Sequence, residues 1–138
     1  MVSKTLYSSA TDDWATPQDL YDKYNKIFGF TLDVCASVSN HKCDKYFTKE
    51  QDGLKQDWSN ERVWCNPPYG RGVDAWVKKC YDHNSLAVML LPARTDTRWY
   101  HNYINDNPNV KVFYLKGRLH FGGAKNSAPF PSMIVVFM

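Results

Sequence analysis

The chain has 138 residues, of which 43% are hydrophobic and 22% charged, a composition that excludes wholesale disorder and predicts one domain with a single core. No apolar run approaches the roughly 20 residues that span a bilayer, and no N-terminal stretch has the pattern of a signal peptide. The formal net charge is +3, but residues 71–138 hold 9 Lys and Arg against 4 Asp and Glu, an excess suited to a phosphate backbone.

The first predicted element is an amphipathic helix. Thr16 is a favoured N-cap residue, and Pro17 suits the first helical position because its N–H would have no partner there. The helix runs to about Ile27, and Gly29 ends it. Its apolar positions recur at three- and four-residue spacing: Leu20, Tyr21, Tyr24, Ile27 and Phe28.

Strands and helices alternate along the rest of the chain. The predicted strands are residues 30–35, 45–48, 62–65, 86–91, 110–115 and 132–138, and the predicted helices are residues 73–81 and 95–104. The continuous apolar run 86–91 is typical of a central strand covered on both faces. This alternation predicts an α/β fold with a three-layer, mostly parallel sheet. Residues 117–123 have hairpin character, so the terminal strand is expected to run antiparallel.

The four cysteines are scattered and include no C-x-x-C pair. With the four histidines they form no recognisable zinc spacing, so we predict no metal site. Unpaired cysteines of this kind fit a reducing, cytoplasmic setting.

One turn offers groups that suit a planar base with an exocyclic amine. Pro67 and Pro68 cannot continue a central strand, and proline keeps the preceding Asn66 extended. The Asn66 side chain and the Pro67 carbonyl can accept hydrogen bonds from an amine, while Tyr69 can stack on the ring. We call residues 66–69 the NPPY turn. The alternative interpretation is a strand-ending turn without a ligand.

Three strand ends carry polar or charged groups. They are Asp33 with the following Ala36-Ser37 segment, the NPPY turn, and residues 92–94. Ligands of open α/β sheets bind beyond the carboxyl ends of the strands, so these groups meet in one crevice if their strands are parallel neighbours. The alternative for Asp33 is a cap of its own loop. The alternative for Asp57 is a cap of the turn into Trp58.

The NPPY turn resembles the catalytic loop of S-adenosylmethionine-dependent amino-methyltransferases. Over nearly its whole length, the chain resembles the compact, phage-type DNA N6-adenine methyltransferase (Dam) family. Glutamine and RNA amine methyltransferases use a similar turn, so the turn alone is only moderately specific, whereas the ordered blocks are highly specific. The matching blocks are residues 14–17, 32–37, Asn40, 53–54, 57–58, 64–69, Trp76, 91–97, Trp99, 116–118, Phe121 and 129–132.

The resemblance implies a reduced Rossmann-like methyltransferase fold in one catalytic domain, residues 1–138, with no separate target-recognition domain. It implies S-adenosyl-L-methionine as the cofactor, DNA as the partner, and the cytoplasm of a bacterial host as the location. The catalytic residues it implies are Asn66, Pro67, Pro68 and Tyr69. The cofactor-binding residues it implies are Thr16, Pro17, Asp33, Ala36, Ser37 and Asp57.

The resemblance also implies a role for individual residues of this cofactor site. Thr16 and Pro17 lie over the methionine portion, Asp33 lies near its ammonium, and Asp57 reads the adenine amine. The ribose ligand stays open between Asp44 and Asp52. The Gly-x-Gly of the wider superfamily is missing here, because residues 36–38 are Ala-Ser-Val.

A basic set is expected to contact nucleic acid: Arg71, Arg94, Arg98, Lys116, Arg118 and Lys125. Arg94 and Arg118 are preferred because they follow predicted strand ends, and the alternative is solvated surface charge. Recognition of the DNA target sequence has to come from residues 93–101 and 116–131, so we expect a short or relaxed target site. An RNA or protein-glutamine methyltransferase and an inactive nucleic-acid-binding module are the alternative functions. Monomer and homodimer both stay open.

Overall fold

The computed structural model describes residues 15–122 and 126–138, so Trp14 and Lys125 lie outside the described residues. The helices and strands are α1 (Gln18–Phe28), β1 (Leu32–Ala36), β2 (Tyr46–Thr48), β3 (Val63–Cys65), α2 (Val73–Asp82), β4 (Ala87–Pro92), β5 (Val110–Tyr114) and β6 (Ser132–Phe137). A 3-10 turn (Gly53–Lys55) and a π-helical turn (Tyr100–Ile104) lie between them. The predicted strands are all present, with ends shifted by one or two residues.

The six strands form one mixed sheet in the order β2-β1-β3-β4-β6-β5. Strands β1 to β4 are parallel, whereas β6 runs antiparallel to both β4 and β5. The predicted α/β class and the antiparallel terminal strand are therefore confirmed. Because β1, β3 and β4 are parallel neighbours, their carboxyl ends meet at one edge of the sheet, as predicted. The hairpin expected at residues 117–123 is wrong for its described part, where Gly122 bridges instead to Ala15.

Both faces of the sheet are buried. Every residue of β4 and β6 is buried, which confirms the central strand predicted at residues 86–91, with both ends shifted by one residue. One face packs against Trp76 of α2 and Tyr100 of the π-helical turn. The opposite face packs against Tyr21 and Tyr24 of α1 and against Phe121. Period-two alternation along each strand divides the apolar side chains between these two cores.

The start of α1 differs from the prediction in a way that bears on the site. Pro17 occupies the N-cap position, and no side chain caps the helix. Thr16 is buried, and its hydroxyl is used elsewhere. At the other end Gly29 has φ 64°, a left-handed conformation that costs glycine little, so the predicted stop is confirmed.

The third predicted helix, residues 95–104, is shorter than expected. Its regular part is the π-helical turn, and Thr97 precedes it with a hydroxyl that accepts from the Tyr100 N–H at 3.3 Å. The hydroxyl of Thr97 also donates to the Arg94 carbonyl at 2.9 Å. This side-chain bonding competes with a regular helical start, because Thr offers the backbone an alternative partner.

Candidate active site

The amide of Asn66 is held from two sides. Its Nδ2 donates to Thr16 Oγ1 at 3.0 Å, across 50 residues of sequence. Its Oδ1 lies 3.0 Å from the Tyr69 hydroxyl, which is also 3.2 Å from the Leu90 carbonyl oxygen. The hydroxyl has one proton, so these two oxygens are alternative acceptors for it. Asn66 Oδ1 can therefore be released to another donor while the Tyr69 hydroxyl keeps a partner.

The ring of Tyr69 is packed among aromatic side chains and is only 8% exposed. Phe130 meets it edge-on with ring centroids 5.5 Å apart, and Phe121 does the same at 6.3 Å. We call Tyr69, Phe121 and Phe130 the aromatic cluster. The Arg94 guanidinium lies 5.9 Å from the Phe130 ring centroid, within the range of a cation–π contact. Burial raises the pKa of the Tyr69 hydroxyl well above its ordinary value, which keeps it a neutral donor.

A cavity of about 400 Å³ adjoins the NPPY turn at the same edge of the sheet. This volume is within the usual range for small-molecule sites, about 300–1,000 Å³. We call it the Asp33 cavity. It is lined by Ala15, Thr16, Asp33, Cys35, Ser37, Ser39, Asn40, Lys42, Trp64 and Asn66. Four predicted site residues, Thr16, Asp33, Ser37 and Asn66, therefore lie together, and Pro17 and Ala36 are their chain neighbours.

Asp33 ties the loop that follows β1. One carboxylate oxygen accepts from the Cys35 N–H at 3.2 Å, and the other accepts from the Lys42 N–H at 2.9 Å. Burial raises the pKa of the carboxyl group, and the two backbone hydrogen bonds partly offset that rise. The alternative role of Asp33 as a loop cap is confirmed. The same side chain also lines the cavity.

The loop after β1 keeps its shape without the missing glycines. Ser37 and Asn40 exchange backbone hydrogen bonds of 3.0 and 3.2 Å, and Asp33 holds the loop at both ends. Ser39, Lys42 and Cys35 line the cavity although sequence reasoning did not select them. The available signal was their position at the carboxyl end of β1 or in the loop between β1 and β2, where a parallel sheet reaches a ligand.

Asp57 lies apart from the Asp33 cavity. It lines a second cavity, of about 690 Å³, together with Asn60, which precedes β3, and Asn84, which precedes β4. That cavity is at the amino ends of the two parallel strands, on the opposite edge from the NPPY turn. The Asp57 carboxylate accepts from the Ser59 N–H at 2.9 Å, so the alternative of a turn cap is confirmed.

Neither candidate for the ribose lines the Asp33 cavity. Asp52 caps the 3-10 turn, since its side chain accepts from the Leu54 N–H at 3.2 Å. Asp44 is exposed on the loop before β2.

The described members of the basic set are all exposed at the edge that holds the NPPY turn. They are Arg71, Arg94, Arg98, Lys116 and Arg118. Arg71 follows the turn itself, and Arg94 and Arg98 follow β4. Strand β5 runs in the same direction as β4, because both are antiparallel to β6, so the residues after β5 also reach this edge.

In residues 15–122 and 126–138, no helix has the length and apolar character needed to cross a membrane. Over the same residues, no group of three or more His, Cys, Asp or Glu side chains is arranged to hold a metal ion.

A mostly parallel six-stranded sheet, with an amide-bearing NPPY turn and a cavity at its carboxyl edge, is consistent with a methyltransferase-like fold. A family model described as DNA N-6-adenine-methyltransferase (Dam) matches residues 3–137, and the chain belongs to this family. The resemblance noted in the sequence is thereby confirmed.

Two curated relatives agree with the family. A DNA N-6-adenine-methyltransferase of Escherichia phage T1 is 39% identical over 94 residues, which cover 64% of this chain and 39% of the relative. A putative methyltransferase, YfdM, of Escherichia coli (strain K12) is 37% identical over 65 residues, covering 42% of this chain and 71% of the relative. The match thus spans about two fifths of the phage protein's length.

Proposed function

We propose that the chain is a DNA methyltransferase that transfers a methyl group from S-adenosyl-L-methionine to the N6 amine of adenine. The observation that carries the proposal is the position of Asn66, whose amide lines the Asp33 cavity and also contacts Tyr69 of the aromatic cluster. A small-molecule cavity and an aromatic surface therefore flank one hydrogen-bonding amide. Membership of the Dam family and the name of the phage T1 relative support the same reaction.

We further propose that residues 1–138 form a catalytic domain with a reduced, three-layer Rossmann-like arrangement. Helices α1 and α2 pack against opposite faces of the sheet, which supports this arrangement. With DNA as its substrate, the protein would act in the cytoplasm of a bacterial host. Of the residues in this chain, those at 93–101 and 116–131 would read the DNA sequence around the target adenine.

The Asp33 cavity fits the cofactor by its size and its polar lining. S-adenosyl-L-methionine supplies a methyl group on a positively charged sulfur, which a weak amine nucleophile can attack. Thr16 and Pro17 would cover its methionine portion, and Asp33 would face the ammonium. Ala36 and Ser37 would contribute backbone groups. Asp57 is left out of this proposal because it lies at the opposite edge of the sheet.

The NPPY turn would position the amine of the base. The adenine N6 lone pair is delocalised into the ring, so the free amine is a poor nucleophile. Hydrogen bonds from N6–H to Asn66 Oδ1 and to the Pro67 carbonyl favour a pyramidal nitrogen, which localises the pair toward the cavity. Pro68 keeps the turn rigid. The chain thus works by positioning and electrostatic stabilisation, and no covalent enzyme intermediate is needed.

The aromatic cluster would receive the base outside the duplex. Taking a base out of the stack costs a few kcal/mol, and stacking on an aromatic side chain typically returns roughly 1–3 kcal/mol. Because Tyr69 is already packed against Phe121 and Phe130, base entry requires these rings to shift. Asn66 Oδ1 has two lone pairs, so it can accept from the amine of the base while it keeps the hydrogen bond from the Tyr69 hydroxyl.

We expect the Thr16→Val substitution to lower kcat about tenfold, the scale of one lost hydrogen bond to a reacting group. Valine keeps the size of threonine but cannot accept from Asn66 Nδ2, so the amide loses its fixed orientation. The Kd of the cofactor, measured by calorimetry, should change little because the lining methyl group remains. Thr16→Ser, which keeps the hydroxyl, is the matched control and should restore kcat. Equal kcat values for the valine and serine variants would show that the hydrogen bond from Asn66 to Thr16 does not contribute to catalysis.

Removing Arg94 and Arg118 together should weaken DNA binding without weakening cofactor binding. Each cation that neutralises a phosphate adds about 0.9 to the slope of log affinity against log salt. The double substitution to glutamine should therefore lower that slope by about 2, measured by fluorescence anisotropy across salt concentrations. Lys26→Gln with Lys55→Gln is the control, because both lysines are exposed near the opposite edge of the sheet. Lys55 adjoins Gln56 of the second cavity, and Lys26 is near Phe28, whose carbonyl contacts Arg62 just before β3. An unchanged slope would remove these arginines from the proposed DNA surface.

The function itself is tested by expressing the protein in a host that lacks adenine methylation and mapping N6-methyladenine along its DNA. We expect new methylated adenines that share a short sequence context. Labelled methyl transfer to DNA, RNA and protein, compared side by side, separates the reaction from an RNA or glutamine methyltransferase. Cofactor-independent DNA binding with no methyl transfer to any of the three would instead indicate an inactive binding module.

A further inference from the structure

The Ser132 hydroxyl is buried, and in the described part of the chain it has no hydrogen-bond partner. The residue is only 1% exposed. Its carbonyl oxygen accepts from the Leu115 N–H at 3.0 Å, so the backbone group is satisfied while the side chain is not. Its cross-strand neighbour is Pro92, which has no N–H to offer. Buried polar groups are nearly always paired, so an orphaned hydroxyl calls for a physical explanation.

The position of Ser132 places this hydroxyl near the aromatic cluster. It is the first residue of β6 and pairs with Pro92, the last residue of β4, at the edge that holds the NPPY turn. Side chains alternate along a strand, so Ser132 faces the same side as Ile134, which packs in one core with Tyr69.

The residue spacing along β6 gives the approximate distance, along the strand, between Ser132 and the level at which the Tyr69 hydroxyl contacts the sheet. That hydroxyl contacts the carbonyl oxygen of Leu90, and Leu90 pairs with Ile134. Ser132 lies two residues farther toward the edge, a rise of about 7 Å along the strand. A base whose amine is at Asn66 and whose ring lies against the aromatic cluster would extend over this interval.

We propose that the Ser132 hydroxyl donates a hydrogen bond to a ring nitrogen of the extruded adenine and so helps to select that base. The inference rests on the proposed function and deepens it. Asn66 and Pro67 recognise the amine, and the aromatic cluster recognises the flat ring, but neither reads the edge of the ring. Adenine ring nitrogens are acceptors, and an unpaired O–H is a matching donor. Base binding then satisfies a group that folding leaves unsatisfied.

The test combines Ser132→Ala with single-atom changes in the substrate. Methylation of oligonucleotides whose target adenine is replaced by 1-, 3- or 7-deazaadenine is compared with the adenine parent under single-turnover conditions. For the wild-type protein, the deaza analogue that lacks the contacted nitrogen should be methylated about tenfold more slowly, as expected for one hydrogen bond. Ser132→Ala should slow the adenine parent by a similar factor, and that same analogue should cause no further loss in this variant.

Two further measurements separate recognition from a structural role. The melting temperature of Ser132→Ala should be equal to or above that of the wild type, because the removed hydroxyl has no partner in the folded protein. The Kd of S-adenosyl-L-methionine should be unchanged, since Ser132 does not line the Asp33 cavity. Ile134→Val, on the same strand face, is the control and should keep the wild-type dependence on the analogue.

Undiminished methylation by Ser132→Ala would overturn the inference and leave the proposed function standing. The inference would equally fail if the wild-type protein methylated all three deaza analogues at the same reduced rate. It would also fail if the melting temperature of Ser132→Ala fell below that of the wild type. A wild-type protein that methylates no adenine-containing oligonucleotide would overturn the proposed function itself. The two failures are therefore distinguishable.

Discussion

Substitution of Asn66 by alanine should abolish methyl transfer, with kcat lowered by at least about 10²–10³-fold, as for loss of a group that stabilises the transition state. The amide oxygen that accepts from the N6 amine is removed, whereas the remaining lining of the Asp33 cavity is kept. The Kd of S-adenosyl-L-methionine should therefore stay within about threefold of the wild-type value, because the lost contact acts mainly in the transition state. Labelled methyl transfer and calorimetry give the two quantities.

The control for this substitution is Asn102→Ala, an exposed asparagine in the π-helical turn. It should leave both kcat and the cofactor Kd unchanged. Near wild-type activity of Asn66→Ala would refute the mechanism. A large rise in the cofactor Kd would instead place Asn66 in cofactor binding rather than in positioning the amine. Since Asn66 also bonds to Thr16, the Thr16→Val variant should show a weaker form of the same defect.

Local signals in the sequence were sufficient for most elements and for the NPPY turn. The apolar run that becomes β4 and the proline pair after β3 depend on few residues, and both predictions hold because their physics is local. The order of the strands in the sheet, by contrast, could not be predicted from local signals. Strand β6 inserts between β4 and β5, and no period or turn signal specifies which neighbours a strand chooses. Topology follows from packing over the whole chain.

Thr16 shows why a local rule can fail at a functional site. A threonine before a proline is a strong helix-start pattern, yet the hydroxyl bonds to Asn66, 50 residues away. Asp57 shows the reverse case: the resemblance suggested a cofactor ligand, whereas the observed hydrogen bond is a local one to Ser59. In the sequence, nothing marked Ser132 as functional beyond its place in the block 129–132 that resembles the Dam family. Its interest arises only from burial without a partner, which is a property of the folded chain.

Substitution of Tyr69 by alanine should lower both the capture of the base and the rate, and should also destabilise the fold. The ring is buried against Phe121 and Phe130, and truncation of a buried aromatic side chain typically costs about 3–5 kcal/mol. Fluorescence of 2-aminopurine at the target position measures base extrusion, and thermal melting measures the loss of stability. Because the alanine variant changes both, its lower activity alone does not identify a role in catalysis.

Tyr69→Phe separates these effects. It keeps the aromatic packing but removes the hydroxyl that lies between Asn66 Oδ1 and the Leu90 carbonyl. We expect base extrusion to be retained and the free energy of unfolding to fall by about 0.5–1.5 kcal/mol, while kcat falls about tenfold because Asn66 is held less firmly. Tyr81→Phe, an exposed tyrosine on α2, is the control. If Tyr69→Phe instead lost base extrusion and kept kcat, the hydroxyl would bind the base rather than orient the amide.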